Sequence, residues 1–392
     1  RETALRTLNE DYWLPEQDHH AFGLMTGRRT NPNLTAWPGT AASFRVLEPT
    51  RAERTLRRLA TDSISADWGA RLLSVGSDLY DPTHYNNGAV WPFMTGFVAW
   101  GQYRYRRPWA GFHLVDAVKH HAFDWSRGRF PENFSGAFYQ PMDATVPHQF
   151  FATSMLAMPL LRGVLGWEPD APLRRARLAP QLPPSWNRVV ARRLRVGETE
   201  LTVEMLREPG RAVTRVVAAG PPVTLDLVQS VPAGAEDVLF EVSGGERGPA
   251  FGMDRGLHDV QVRVTVPVDS AGREILVTWT GGLTPAHPTV ALEPGQTSDG
   301  LRVVDFVAAD GGWELTVEGT AGRSYRLDMY GVPVRPAGSS GATVVARDDA
   351  AAVTTLELAF PSGSGRAARV VRLAPAEGAS GADRTPAPPP GP

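Results

Sequence analysis

A lone carboxylate and a polar, aromatic loop are the residues of this sequence best suited to chemistry. Glu132 lies in RFPENFSG (129–136), between Pro131 and a Phe-Ser-Gly turn. Upstream, HYNNGAVWPFMTG (84–96) sets Asn86, Asn87 and Gly88 ahead of Trp91-Pro92. Planar amides such as Asn86 and Asn87 donate to and accept from sugar hydroxyls, and the C–H face of a sugar stacks on rings such as Tyr85 and Trp91. The two runs together suggest a sugar-processing cleft. Trp91, beside Pro92, equally suits a core position. Gln149 follows Pro147 and His148 at a helix start, where it either reaches the cleft or satisfies backbone groups.

Composition narrows what such a cleft can serve. A chain of 392 residues is long enough for two or three domains with sizeable cores. With 42% hydrophobic and 21% charged residues, it reads as an ordinary globular protein. A formal charge of −2 and the lack of a basic run give no field for nucleic acid, so no such partner is expected. Lys119 is the only lysine, and the preference for arginine reads as the codon bias of a GC-rich bacterial genome. Without cysteine there is no disulfide, thiolate nucleophile or Cys–zinc site. No stretch approaches the ~18 apolar residues of a membrane helix, and no membrane partner is expected. No signal peptide is visible, so a cytoplasmic and a secreted bacterial location both stay open. His19-His20 and His120-His121 are poorly placed for one metal, because helix neighbours diverge by about 100°. No metal and no cofactor is expected.

The elements that must position these residues change character midway. Leu5 and Leu8 suggest the end of a helix already under way, followed by a polar segment (9–33) broken by Tyr12, Trp13 and Phe22. Helices are predicted at 37–47, from Thr50 through Leu59 with Thr50 and Glu53 in capping-box spacing, at 89–100, at 109–125 and at 150–165. Pro159 should kink the last. The proline-rich stretch 178–184 ends the helical part. From Val189 the period becomes two, with a hairpin at 194–203 and strands at 213–218, 223–228, 260–266 and 275–279. After Gly281-Gly282 further strands are predicted at 301–307, 313–317, 325–330, 354–360 and 370–373.

Four blocks occur in one order: Tyr12-Trp13, ADWGARLLS (66–74), YDPTHYNNGAVWP (80–92) and RFPENFSG (129–136). In these the chain resembles the C-terminal half of bacterial glycogen-debranching-like proteins of the amylo-α-1,6-glucosidase type. The resemblance covers residues 1–186 and implies an (α/α)6 six-hairpin barrel, related to those of glucoamylases and mannosylglycerate-hydrolase-like enzymes. The expected fold class is thus multidomain α and β. Part of an (α/α)6 barrel (1–186) is followed by a β-sandwich (187–282), a second β-sandwich-like module (283–375) and a disordered tail (376–392). The implied activity is that of a glycoside hydrolase, an inverting, exo-acting α-glucosidase or debranching-like enzyme on an oligosaccharide or polysaccharide. In such families the Glu of a Pro-Glu-x-Phe-x-Gly block is the usual general base, and that position is Glu132. An inverting enzyme sets this base against a carboxylic acid on the opposite face of the sugar. Trp68 and Arg71 fall on a rim loop of the family. There Arg71 either meets a sugar hydroxyl or acidic sugar, or pairs with Asp78 or Asp81. The family pattern often has His where this chain has Asn86, which keeps hydrogen bonding and leaves the preferred sugar open.

The family's general acid is an Asp in the first half of the barrel, often after Arg. The chain has no such block; its one Arg-Asp pair, Arg347-Asp348, lies in the β region. Asp11, Glu16, Asp18 and Asp143 are fallback acids. The predicted helices are about half those of a six-hairpin barrel. The chain is therefore expected to be a fragment of a longer enzyme, or to need a missing N-terminal half as partner, or to have lost catalysis. The alternative functions are a non-catalytic carbohydrate-binding or accessory protein, or a related enzyme such as a rhamnosidase, lyase or epimerase.

Overall fold

A long strand, Val223–Val242, organises most of the molecule. The computed structural model describes residues 1–143, 145–243, 252–338 and 340–376. The first half of the strand pairs antiparallel with Asp259–Val268 and parallel with Arg175–Leu178. Its second half crosses to pair with Arg273–Pro285, through a register shift between Glu236 and Leu239. This places it at the centre of a 12-stranded mixed sheet. Alternate side chains such as Leu225, Leu227, Val262, Val264, Ile275 and Val277 fill one core. The period-two pattern predicted a strand only over 223–228, the first third of it. Gly234 instead continues the strand at φ 76°, and a Cβ there would come within 3.1 Å of Trp313 Nε1, which donates to Ala233 O at 2.8 Å.

These proportions overturn the six-hairpin barrel. Among the described residues strand accounts for 42% and helix for 20%, and the six α-helices there are half of what six hairpins require. The helices are α1 (Glu2–Glu10), α2 (Pro38–Ser43), α3 (Pro49–Leu59), α4 (Pro92–Arg104), α5 (Pro108–Asp124) and α6 (Phe150–Pro159). They form no ring. The apolar α4 is a hub against which α2, α5 and α6 all pack. Its buried residues, among them Met94, Val98, Trp100 and Tyr103, go all round the helix, as befits an element covered on several sides.

The local differences have local causes. Helix α2 stops at Ser43 rather than near Leu47, and Glu48 caps α3 by accepting from Thr50 N and Arg51 N at 3.0 and 2.9 Å. The Thr50–Glu53 capping box therefore does not form, and Glu53 pairs with Arg107 and His258 instead. After Pro159 the chain widens into a π-helical turn, Leu160–Val164, because the proline offers no N–H to the preceding turn.

The C-terminal strands Arg302–Ala309, Gly312–Thr320, Arg366–Pro375 and Val334–Pro336 make a four-stranded sheet. Its core, around Phe306, Leu315, Val317 and Leu356, also takes in Trp109 and Ala110 from α5. Helical and β parts therefore share a core. They also share two buried guanidinium groups. Arg302 donates to Ser65 O at 2.6 Å and to Asp67 Oδ1 at 3.1 Å, and lies 3.2 Å from Asp62 Oδ1. Arg107 donates to Gln102 Oε1 at 3.0 Å, Glu53 Oε2 at 2.8 Å and Asp305 Oδ1 at 2.9 Å. The segment expected to be disordered (376–392) lies, after Ala376, outside the described residues. No helix among the described residues is long and apolar enough to cross a membrane.

Two stability predictions follow from these buried charges. Arg302→Met leaves Asp67 buried without its cation and should cost about 3–5 kcal/mol in urea unfolding; a loss under about 1 kcal/mol would show the pair to be dispensable. Burial also lowers three imidazoles, His20 to about 4 and His113 and His121 each to about 3. In the unfolded chain they titrate near their ordinary 6.5. Below that pH the unfolded state takes up protons that the native state refuses. Stability is therefore full above pH 6.5 and falls towards pH 4, by roughly 1.4 kcal/mol per pH unit for each histidine. Urea midpoints between pH 7 and 4.5 should show this slope, and His121→Phe should make it shallower.

Candidate functional site

Backbone pairing brings the two runs together. Val90 N donates to Phe134 O and Phe134 N to Val90 O, both at 2.9 Å. Phe134 is fully buried with Trp68, Val90 and Tyr139, and His121 stacks on it at 4.2 Å. Two glycines allow the loops to touch. A Cβ on Gly88 would lie 2.3 Å from Asp81 O, and one on Gly136 2.2 Å from Gly88 O.

Over this support Glu132 meets Tyr85 and Gln149. Tyr85 Oη donates to Glu132 Oε1 at 2.5 Å and Gln149 Nε2 to the same oxygen at 2.8 Å. The other oxygen, Oε2, meets only Val146 N, at 3.4 Å, among the described residues. Two backbone bonds fix the geometry: Glu132 N to Val146 O at 3.0 Å and Gln149 N to Phe130 O at 2.9 Å. Desolvation, then the hydrogen bond to Glu132 and its charge, push the Tyr85 phenol up to about 12, so it stays a donor across the neutral range. Trp91, the residue before α4, donates from Nε1 to Tyr85 O at 3.0 Å and holds the Tyr85 ring edge-on at 4.6 Å. Tyr85 nevertheless remains 37% exposed.

The other predicted residues take different places. Asn86 is exposed and Asn87 half-buried beside the site. His84 shapes their turn by accepting from both backbone N–H groups, at 3.1 and 3.2 Å, which places the proton of the neutral ring on Nε2. Trp68 is fully buried and donates to Ser135 O at 2.9 Å. Arg71 is buried too; it donates to Gly136 O and Asp62 O, both at 2.6 Å, and its ion pair is with Asp62, not Asp78 or Asp81. Trp68 and Arg71 brace the 132–136 turn from behind. They do not line an exposed rim. Thus Glu132, Tyr85, Trp91 and Gln149 come together, Asn86 and Asn87 flank them, and Trp68 and Arg71 lie beneath.

Sequence reasoning missed His84 and the backbone of Val146. His84 carried a signal, an acceptor two residues before the amide it caps, the spacing of an Asx turn. Val146 carried none, because its main chain has no residue-specific mark. The buried amide of Asn133 and Gln149 Oε1 have no hydrogen-bond partner among the described residues. Buried polar atoms in that condition ordinarily serve a water or a ligand. The fallback acids lie elsewhere: Asp11 pairs with Arg28, Asp18 with Arg54, and Glu16 is exposed. Asp143 is exposed on the loop that carries Val146. Among the described residues no carboxylate is hydrogen bonded to Glu132, Tyr85 or Gln149 apart from Glu132 itself, and no group of three or more His, Cys, Asp or Glu is placed to hold a metal ion.

No known protein family matches the chain. No curated protein matches it either. Two solved structures of an uncharacterized protein from Listeria monocytogenes EGD-e show weak similarity. One has a TM-score of 0.21 at 11% identity. The other, in complex with α-D-glucose, β-D-glucose, magnesium and calcium, has a TM-score of 0.23 at 10% identity. Each match covers 51% of this chain and 22% of the Listeria chain, so the aligned part is under a quarter of that protein. Similarity this low assigns neither a fold nor a function.

The glycine contacts make a direct prediction. Gly136→Ala must push its Cβ into a carbonyl oxygen that the backbone cannot move, whereas a Cβ on Gly23 meets nothing within 4 Å. Gly136→Ala should cost about 1–3 kcal/mol or more, and Gly23→Ala should stay within ~0.5 kcal/mol, by chemical denaturation. Equal effects would show that the two loops do not meet as described.

Proposed function

We propose that this protein acts on carbohydrate as a glycoside hydrolase, with Glu132 as the general base and Tyr85, Asn86, Trp91 and Gln149 as the sugar-contacting surface. One observation carries this reading. Glu132 is held on Oε1 by two side-chain donors while Oε2 keeps its lone pairs almost free. A base needs that combination of fixed direction and open acceptor. The exposed Tyr85 edge and Trp91 provide apolar surface for a sugar face. The ordered blocks that resemble debranching-like proteins add to the same reading.

In the reaction, Oε2 takes a proton from water as the water oxygen attacks the anomeric carbon. The bond from that carbon to the glycosidic oxygen breaks, and the leaving oxygen takes a proton from an acid. The residues around Glu132 supply the base side of this reaction. In a second reading the same surface binds sugar without turning it over, with Glu132, buried and held by Tyr85 and Gln149, as a fixed acceptor for a hydroxyl.

Glu132→Gln separates the two. Gln can still accept from Tyr85, so fold and sugar binding should persist while turnover of malto-oligosaccharides falls by roughly 10²–10⁴. Wild-type turnover in the variant would remove Glu132 as base. Calorimetric binding of malto-oligosaccharide by the wild type, with no product by NMR, would establish the binding reading instead.

A further inference from the structure

A second site lies at the far end of α4. This helix has 13 residues and so is roughly 20 Å long. Its N-terminal end adjoins Trp91, and its C-terminal end opens on a small cavity of about 80 Å³. Five arginines line that cavity: Arg45, Arg104, Arg106, Arg162 and Arg177. Three carboxylates answer them. Glu168 pairs with Arg104 and, at 4.0 Å, with Arg177. Asp254 and Asp259 both pair with Arg106. The guanidinium groups therefore exceed their counterions by two. Among the described residues, neither Arg45 nor Arg162 has a side-chain hydrogen bond or an ion pair.

The backbone makes the arrangement costly. Helix α2 ends with Phe44 as its cap and α4 with Tyr105. The next residues, Arg45 and Arg106, have φ of 53° and 64°. That left-handed position after a helix is one that glycine fills without strain. Backbone strain of this kind persists where the surrounding structure fixes it. Arg106 uses its position to reach Asp254 and Asp259. Arg45 makes no hydrogen bond or ion pair there; it stands near Arg104 and Arg177, with Glu168 in electrostatic reach, and desolvation and then the two like charges lower it to about 10, so it is still a cation at neutral pH. Helix C-terminal carbonyls favour a cation each. They do not account for five in one cavity.

We propose that this cavity binds a phosphate group, either free or carried on a sugar. Two unbalanced positive charges match a phosphate dianion, and guanidinium forks match the spacing of phosphate oxygens. A neutral sugar would leave the charge excess unanswered. The site lies at the opposite end of α4 from Trp91, and its occupancy does not depend on the role of Glu132.

The test is titration calorimetry and thermal unfolding of the whole chain with inorganic phosphate, glucose 6-phosphate, and sodium chloride at matched ionic strength. Phosphate should bind saturably and raise the Tm where chloride does not. Arg45→Gly removes the guanidinium and relieves the positive φ, so it should fold at least as stably as the wild type. Its phosphate affinity should fall roughly tenfold or more, as should that of Arg162→Gln. Tighter binding of glucose 6-phosphate identifies the phosphate as sugar-borne; equal binding identifies the free ion. The proposal is overturned if phosphate acts no differently from chloride, or if Arg45→Gly binds phosphate as the wild type does.

Discussion

The buried guanidinium of Arg302 is the interaction on which the position of Glu132 depends. It comes from the first strand of the C-terminal sheet, and its partners Ser65, Asp62 and Asp67 come from the segment after α3. Removing a cation from such a cluster leaves carboxylates buried without compensation, so the cluster holds or fails as a unit. Asp67 passes this constraint along the chain. Its neighbour Trp68 donates to Ser135 O, and Arg71 donates to Gly136 O. Those carbonyls close the turn that begins at Glu132. The β part is therefore no detached accessory; it braces the turn after Glu132 through the Arg302–Asp67 pair and the bonds of Trp68 and Arg71 to Ser135 O and Gly136 O. Arg107 plays the same part at the corner between α4 and α5, where it gathers Gln102, Glu53 and Asp305.

The strands were largely legible because period two is a local property. Asp259–Val268 alternates buried and exposed side chains almost without fault, and Arg188–Val196 turns into Thr199–Glu208 at Gly197 with φ of 62°. The closure of the helices was not legible. The helices α4 and α6 are apolar around most of their surface, and such a pattern suits the inner helix of a barrel or the hub of a cluster equally well. Which of these forms is decided by contacts far along the chain. In this protein the contacts run to the β sheets, where Trp109 and Ala110 enter a core built mostly from strands.

The site divides along the same line. Glu132, Tyr85 and Trp91 stood out because a carboxylate between prolines and aromatics, and a ring beside two amides, are unusual in themselves. Trp68 and Arg71 were read as rim residues because the resemblance to debranching-like proteins places them on a rim loop. Their burial is set by the carbonyls of Ser135 and Gly136 and by Asp62, none of them near in pattern. The cap at Glu48 shows the same limit at short range. A Glu before a proline was passed over for the familiar Thr50–Glu53 spacing, yet only Glu48 has both first-turn N–H groups in reach.

The two ends of α4 carry opposite chemistry, and the helix itself explains why they can. Its N-terminal end, the positive end of the backbone dipole, leads through Trp91 and Tyr85 to the Glu132 carboxylate; its negative end faces the arginines. Between them the helix is locked from both sides. A Cβ on Gly96 would lie 2.3 Å from Met155 Cβ of α6, and one on Gly39 of α2 would lie 2.6 Å from Val98. Contacts that close leave no play for sliding or rotation. Neither end of α4 can shift without moving the helix against α2 and α6. A charged cavity can therefore assemble at one end without drawing the carboxylate at the other out of its hydrogen bonds.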